Sequence, residues 1–437
     1  RARHTPPGMW IFGHGWNQNI WLEGFGNPLD LDQVAPRNPV YLTAKSLHAG
    51  WANSAALRLA GVGQNTPDPA GGRPGRQADG SPNGILFESA MQLIAEVIPE
   101  ATLEQLEQAL LQAQPALIQM GLTGLHDFDR RRCFSALQNL HQREQLSLRI
   151  TKSLPIEDLS HAVQLGLRSG FGDETLRIGS LKGFADGALG PHTAAMVMPY
   201  EDDLSNLGIL LLDAETLFEI GKSAIENGLS LAIHAIGDRA NHEVLDAFSH
   251  LRNYEAVLSG DTRRRLRHRI EHVQLLHPAD QARLAELGII ASMQPIHATS
   301  DMEMADRFWG ERAALSYAWR TQKQHGARLA FGSDAPVESP NPFWGLHAAV
   351  TRRRANGSPG AEGWRAEQRL SLMEALEGFT TGPAYATGLE NRLGRLAPGY
   401  LADLLMLDTD IFNCDPDQIK DIRPAATMIG GAWVWQA

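Results

Sequence analysis

The chain has 437 residues, 43% hydrophobic and 20% charged, a balance that suits one large α/β domain with additions, or two domains. A net charge of −11 argues against nucleic acid or an anionic membrane as the main partner, and Cys133 and Cys414 are too few for a disulfide framework or a four-cysteine zinc site. No run of 18 apolar residues supplies a membrane helix and residues 1–10 do not form a signal peptide; cytoplasmic location is expected on that ground alone.

Residues 1–3 read as the tail of a helix running into a Pro-Pro-Gly turn, so the expectation is that the chain starts partway through a larger fold. Residues 9–16 alternate weakly, 39–43 (PVYLT) form a strand, and 51–60 form a helix closed by Gly61. Residues 67–84 are dense in Gly, Pro and Asp and lack the G-K-[ST] ending of a phosphate loop. Residues 1–100 are therefore expected to be a β-rich insertion that covers an active-site mouth.

From residue 101 the pattern becomes helices alternating with short apolar strands. Strands are predicted at 121–126, 146–151, 176–182, 229–234, 267–272, 288–293 and 329–331, with a helix over 313–325 before the last. Helical crossovers of this length imply parallel βα units, in a barrel or a doubly wound sheet. No Gly-x-Gly-x-x-Gly follows a strand, which counts against dinucleotide binding. Residues 101–385 are assigned to this domain, and 386–437 to a small β appendage.

Four strands end at or near residues of ligand type: Lys182, His234, His272 and Asp334, spaced by one, one and two βα units. In a barrel their side chains converge on one mouth. Imidazole with carboxylate suits Zn²⁺, or Mn²⁺ and Fe²⁺. A lysine ammonium is no ligand; it becomes one only as a carbamate formed with CO2. Taken singly, each residue has an ordinary reading: His234 a core histidine, Lys182 an ion-pair partner, His272 a neighbour of a helix cap, Asp334 a helix cap. His268, on the same predicted strand face as His272 but deeper, is read as buried and structural.

The motifs KGFADGALG (182–190), HAIGDRAN (234–241), IEHVQLLHP (270–278), SMQPIHATSDM (292–302) and GSDAPVESPNP (332–342) resemble the amidohydrolase superfamily, and within it the amidohydrolase-3 branch that includes N-substituted formamide deformylase-like enzymes. GHGWNQN (13–19), HAGWANSAAL (48–57) and LAPGYLADLLMLD (396–408) extend the resemblance over nearly the whole chain. It implies an α/β fold, a (β/α)8 TIM-type metallohydrolase barrel with a small β-rich accessory domain, of which 386–437 is the C-terminal part. It also implies hydrolysis of a C–N bond in a small-molecule substrate by metal-activated water, with one or two divalent ions, zinc first. Lys182, carboxylated, would bridge; His234, His272 and Asp334 would be further ligands; Asp334 would also shuttle the proton. His48, Arg239, Gln294 and His297 are the substrate-binding candidates, and Asp186 is read as orienting its loop. A homo-oligomer is compatible with the resemblance. One departure stands out: no His-x-His pair precedes His126, so the first barrel strand is expected to be missing. Two other readings stay open, a catalytically silent barrel scaffold and ester hydrolysis at the same site.

Overall fold

The computed structural model describes residues 2–17, 21, 24–259 and 265–437. Gln18 and Asn19 of the GHGWNQN motif lie outside the described residues. The chain divides into two compact units, Arg1–Glu100 with Asp186–Leu211, and Ala101–Ala185 with Leu212–Ala437.

The first unit holds a five-stranded mixed sheet: β1 (Ile11–Trp16), β2 (Val40–Ala44), β3 (Ala49–Ala52), β4 (Gly72–Arg76) and β5 (Pro82–Glu88), in the order β1-β2-β3-β5-β4. β1 and β2 are parallel and the other pairs antiparallel. Trp16, Trp51, Ile85 and Phe87 are buried together on one face, and the indoles of Trp16 and Trp51 donate to the Leu42 and Asn27 carbonyls. These tryptophans are core residues. Helix Ser54–Leu59 ends where Gly61 takes φ +66°, the left-handed turn that glycine adopts without a Cβ penalty. Asp186 is fully buried and accepts the Ala195 N–H at 2.9 Å, tying together the loop it begins.

The second unit is built on β6 (Gly124–Asp127), β7 (Arg149–Pro155), β8 (Leu176–Phe184), β9 (Leu231–Ala235), β10 (Arg269–His272), β11 (Ile290–Met293) and β12 (Leu329–Phe331). All neighbours are parallel and the order follows the chain, with helices in the connections. β9, LAIHA, is buried at every position, the signature of a parallel strand covered on both faces. The sheet is strongly curled. β6 and β10 stand four strands apart, roughly 19 Å in a flat sheet, yet Arg269 Nη1 of β10 reaches His126 Nδ1 of β6 at 2.6 Å. Among the described residues β6 and β12 are the two edges, and no strand joins them.

β13 (Leu404–Leu407), β14 (Pro424–Ile429) and β15 (Ala432–Gln436) form an antiparallel sheet within this second unit. Thr427 Oγ1 donates to the Ile118 carbonyl of helix Leu103–Gln119, and Arg149 makes a two-pronged ion pair with Asp403. The structure departs from the expected elements in three places. Ala49–Ala52 is strand β3, so the helix expected from residue 51 starts at Ser54. Helix Pro295–Trp309, not anticipated, follows β11. The helix expected over 313–325 is broken, into a 3-10 turn Gly310–Leu315 and a helix Trp319–His325, with Tyr317 at φ +50° between them. No helix among the described residues is long and apolar enough to cross a membrane.

Candidate metal centre

The C-terminal ends of β8 to β12 place the candidate side chains. In adjacent parallel strands, residues in register share a face. Lys182 pairs with Ala232, Phe184 with His234, and His234 with Glu271. Lys182, Phe184 and His234 therefore share the face of Glu271 and Arg269, the concave interior that His126 also reaches. Strict alternation would send His272 to the opposite face with His268, which stacks on Phe248 of helix Asp238–Ser259 at 5.3 Å. The backbone departs from alternation there: His272 takes φ +77° and Val273 φ +46°. The second is a true outlier for a β-branched residue, a kind of strain that concentrates at functional sites. The turn sets the His272 ring 4.5 Å from that of His234 and 5.8 Å from that of His297.

His297 is the third residue of helix Pro295–Trp309, and its Nε2 lies 3.3 Å from Asp334 Oδ2. Asp334 is three residues beyond β12, at φ +58°, a conformation Asp tolerates better than most residues. One ligand atom from each of His272, His297 and Asp334 falls within 4.8 Å of the other two. Gln294 Oε1 lies 2.9 Å from His272 Nδ1. Lys182 Nζ sits 4.0 Å from the Phe184 ring centroid and 5.4 Å from that of Phe128, the placement of an ammonium over aromatic faces.

Burial pushes His272 down to about 4, with the charges of His297 and Lys182 adding to the effect and Asp334 opposing it. It is a neutral imidazole near pH 7, the form that binds metal. Burial alone would raise Asp334, but the hydrogen bond from His297 and the charges of His272, His297 and Lys182 hold it below the usual carboxylate value. Burial would lower His297, yet its hydrogen bond to Asp334 and the nearby Asp334, Asp301 and Glu338 charges raise it. Neutral imidazole beside ionised carboxylate is a donor set that fits a divalent cation.

The structure thus brings together Lys182, His234, His272, Gln294, His297 and Asp334. Arg239 is exposed, on the first turn of helix Asp238–Ser259; among the described residues no hydrogen bond or ion pair joins its side chain to this cluster. His48 belongs to the first unit, where its Nδ1 lies 2.8 Å from Glu88 Oε2. The nearness of His297 to His272 and Asp334, rather than to substrate alone, depends on the unanticipated helix, whose start Pro295 marks.

A second group, Asp127, Asp129 and Cys133, is also close enough to hold an ion. A cation already sits there: Lys152 Nζ contacts Asp127 Oδ1 at 2.5 Å and donates to the Asp129 carbonyl. Burial and the two carboxylates push the Cys133 thiol up to about 12, so it stays protonated and makes a poor ligand. This group reads as an internal ion pair.

The chain is 34% identical to "Protein LONG AFTER FAR-RED 3" of Arabidopsis thaliana, over 98% of this chain and 74% of that one. It is 28% identical to the "N-substituted formamide deformylase" of Arthrobacter pascens, over 98% and 80%. Among solved structures, an uncharacterized metal-dependent hydrolase from Pyrococcus horikoshii superposes with a TM-score of 0.72 at 28% identity, over 91% of this chain and 76% of that one. The model described as "Amidohydrolase family" matches residues 1–435, and on that match, spanning all five quoted barrel motifs, the chain belongs to the amidohydrolase family, in its amidohydrolase-3 branch.

Proposed function

We propose that the protein is a metal-dependent hydrolase that cleaves the C–N bond of an amide, formamide or related small molecule. The observation that carries this reading is the convergence of His272, His297 and Asp334 at the ends of successive parallel strands in a chain of this family. The formamide deformylase among its relatives supports the choice of bond. Lys182, His234, His272 and Asp334 would hold the metal, with Lys182 carboxylated if two ions are bound; His297 stands beside them as a further donor. A divalent cation supplies Lewis acidity, acidifying water and polarising a carbonyl.

The chain's own groups do the rest. Asp334, kept ionised, accepts a proton from water as the water oxygen bonds to the carbonyl carbon, and returns it to nitrogen as the C–N bond breaks. His297, hydrogen-bonded to Asp334, orients that carboxylate. The half-buried setting of Asp334, with its side chain 32% exposed, gives a small substrate access to it.

The test is metal analysis of the full chain with turnover of N-substituted formamides and aryl amides, alongside Asp334→Asn. Loss of a positioned proton shuttle lowers kcat by about 10²–10⁴-fold. Metal content measured on the same sample separates that loss from lost ligation. Wild-type kcat in the variant would overturn the shuttle, and absence of both metal and turnover in the wild type would favour a silent scaffold. Esters run in parallel show whether the water attack is confined to C–N bonds.

A further inference from the structure

Gln294 stands between β11 and helix Pro295–Trp309, at the position of the helix N-cap, yet its side chain makes no capping hydrogen bond. The following Pro295 favours an extended conformation in the residue before it, and Gln294 has φ −121° and ψ 98°. The side chain therefore continues the strand's direction instead of folding back on the helix. It is buried, and its Oε1 meets His272 Nδ1 at 2.9 Å. An amide oxygen only accepts, so this contact requires the proton on Nδ1. A neutral imidazole has one N–H, which leaves the lone pair on Nε2. His272 is the last residue of the β10 ladder, paired with Ala235, but its positive φ turns the side chain off the strand's alternation. Among the described residues the one hydrogen bond of its ring is that with Gln294.

We propose that Gln294 is a positioning residue that fixes the tautomer and ring plane of His272, so that Nε2 is presented to a divalent cation. The proposal rests on the reading of His272 as a metal ligand. It changes the expected role of Gln294: its carbonyl oxygen serves His272, and substrate recognition falls to other groups.

Two measurements on the full chain test it. The first is equilibrium Zn²⁺ affinity by chelator competition, for wild type, Gln294→Leu, Gln294→Glu and His272→Leu. The second is ¹⁵N imidazole NMR of the metal-free protein, with His272 assigned by its own substitution. Expected are a 10–100-fold weakening in Gln294→Leu, the usual size for loss of a partner behind a ligand, and little loss in Gln294→Glu, whose carboxylate is also an acceptor. The wild-type spectrum should show His272 protonated on Nδ1, a signature kept in Gln294→Glu and lost in Gln294→Leu. Zn²⁺ affinity in Gln294→Leu within twofold of wild type, with His272→Leu weakened, would overturn the positioning role and leave the ligand reading standing. Unchanged affinity in His272→Leu would remove the ligand reading and this proposal with it. If Gln294→Leu does not fold, Gln294→Glu decides: an Nε2-protonated His272 in that variant contradicts the acceptor logic.

Discussion

His268 and His272 are four residues apart, one just before β10 and the other its last residue, and both are buried. They differ in what satisfies them. The backbone N–H of Leu231 donates to His268 Nδ1 at 3.0 Å, and its Nε2 faces Glu255 Oε1 at 3.4 Å. Glu255 is in turn paired with Arg252, which donates to the carbonyls of Leu266, Leu287 and Gly288. In that cluster a backbone N–H satisfies Nδ1, and the Glu255–Arg252 pair sets a carboxylate in front of Nε2. Around His272 the neighbours are His234, His297, Asp334 and Lys182, side chains of ligand type that bring charges of both signs beside it. One region is held by backbone groups and an ion pair, while the other gathers several potential metal donors, of which His297 and Asp334 are hydrogen-bonded to each other. A buried histidine is structural when the backbone satisfies it, and a ligand candidate when other donors surround it.

Substitutions can break this contrast. Glu255→Leu strips the counter-charge from buried Arg252, and should cost about 3–5 kcal/mol in urea unfolding. Asp334→Asn puts at stake one 3.3 Å hydrogen bond, and should change stability by no more than about 1 kcal/mol. Equal losses in the two variants would erase the distinction. His268→Leu leaves the Leu231 N–H buried without an acceptor, at about 1–3 kcal/mol, while Zn²⁺ affinity stays at the wild-type value. A fall in affinity there would show that the two histidines act together.

The contrast also shows what the sequence could carry. Lys182, His234 and His272 were legible because each closes a short apolar run, and parallel strands bring such ends to one mouth. The bend at His272 was not: His tolerates positive φ, but the β-branched Val273 after it favours an extended strand. Helix Pro295–Trp309 was legible, though not anticipated. Pro295 opens it, and polar Ser300, Glu303, Asp306 and Arg307 recur at helical spacing against buried Met302, Ala305, Phe308 and Trp309. Its wholly buried first turn, Pro295–Thr299, reads like an extension of the preceding strand. The break at Tyr317 has a long-range cause, its hydroxyl donating to Asp301 and lying near the Gln274 amide oxygen. The grouping of Asp186–Leu211 with the first hundred residues is likewise a matter of tertiary contact, invisible to composition.

The remaining effect concerns acid stability. Burial would raise Glu255, but the hydrogen bond and charge of His268 together with Arg252 hold it down to about 2, against 4.5 for the free side chain. Between those values the unfolded chain binds the proton that the folded chain refuses. The contribution is therefore fully present above pH 4.5 and is lost as pH falls through 2, at a slope no steeper than about 1.4 kcal/mol per pH unit. Glu374, held at about 2 against burial by Arg320 and Ser371, titrates in the same window. It is present in both wild type and Glu255→Gln, so the difference between those two proteins isolates Glu255. The urea-derived stability advantage of wild type over Glu255→Gln should be constant from pH 7 to 5 and shrink steadily from pH 4.5 to 3. A constant advantage down to pH 3 would mean that the carboxylate is not held ionised by His268 and Arg252, and that the cluster is held by packing instead of charge.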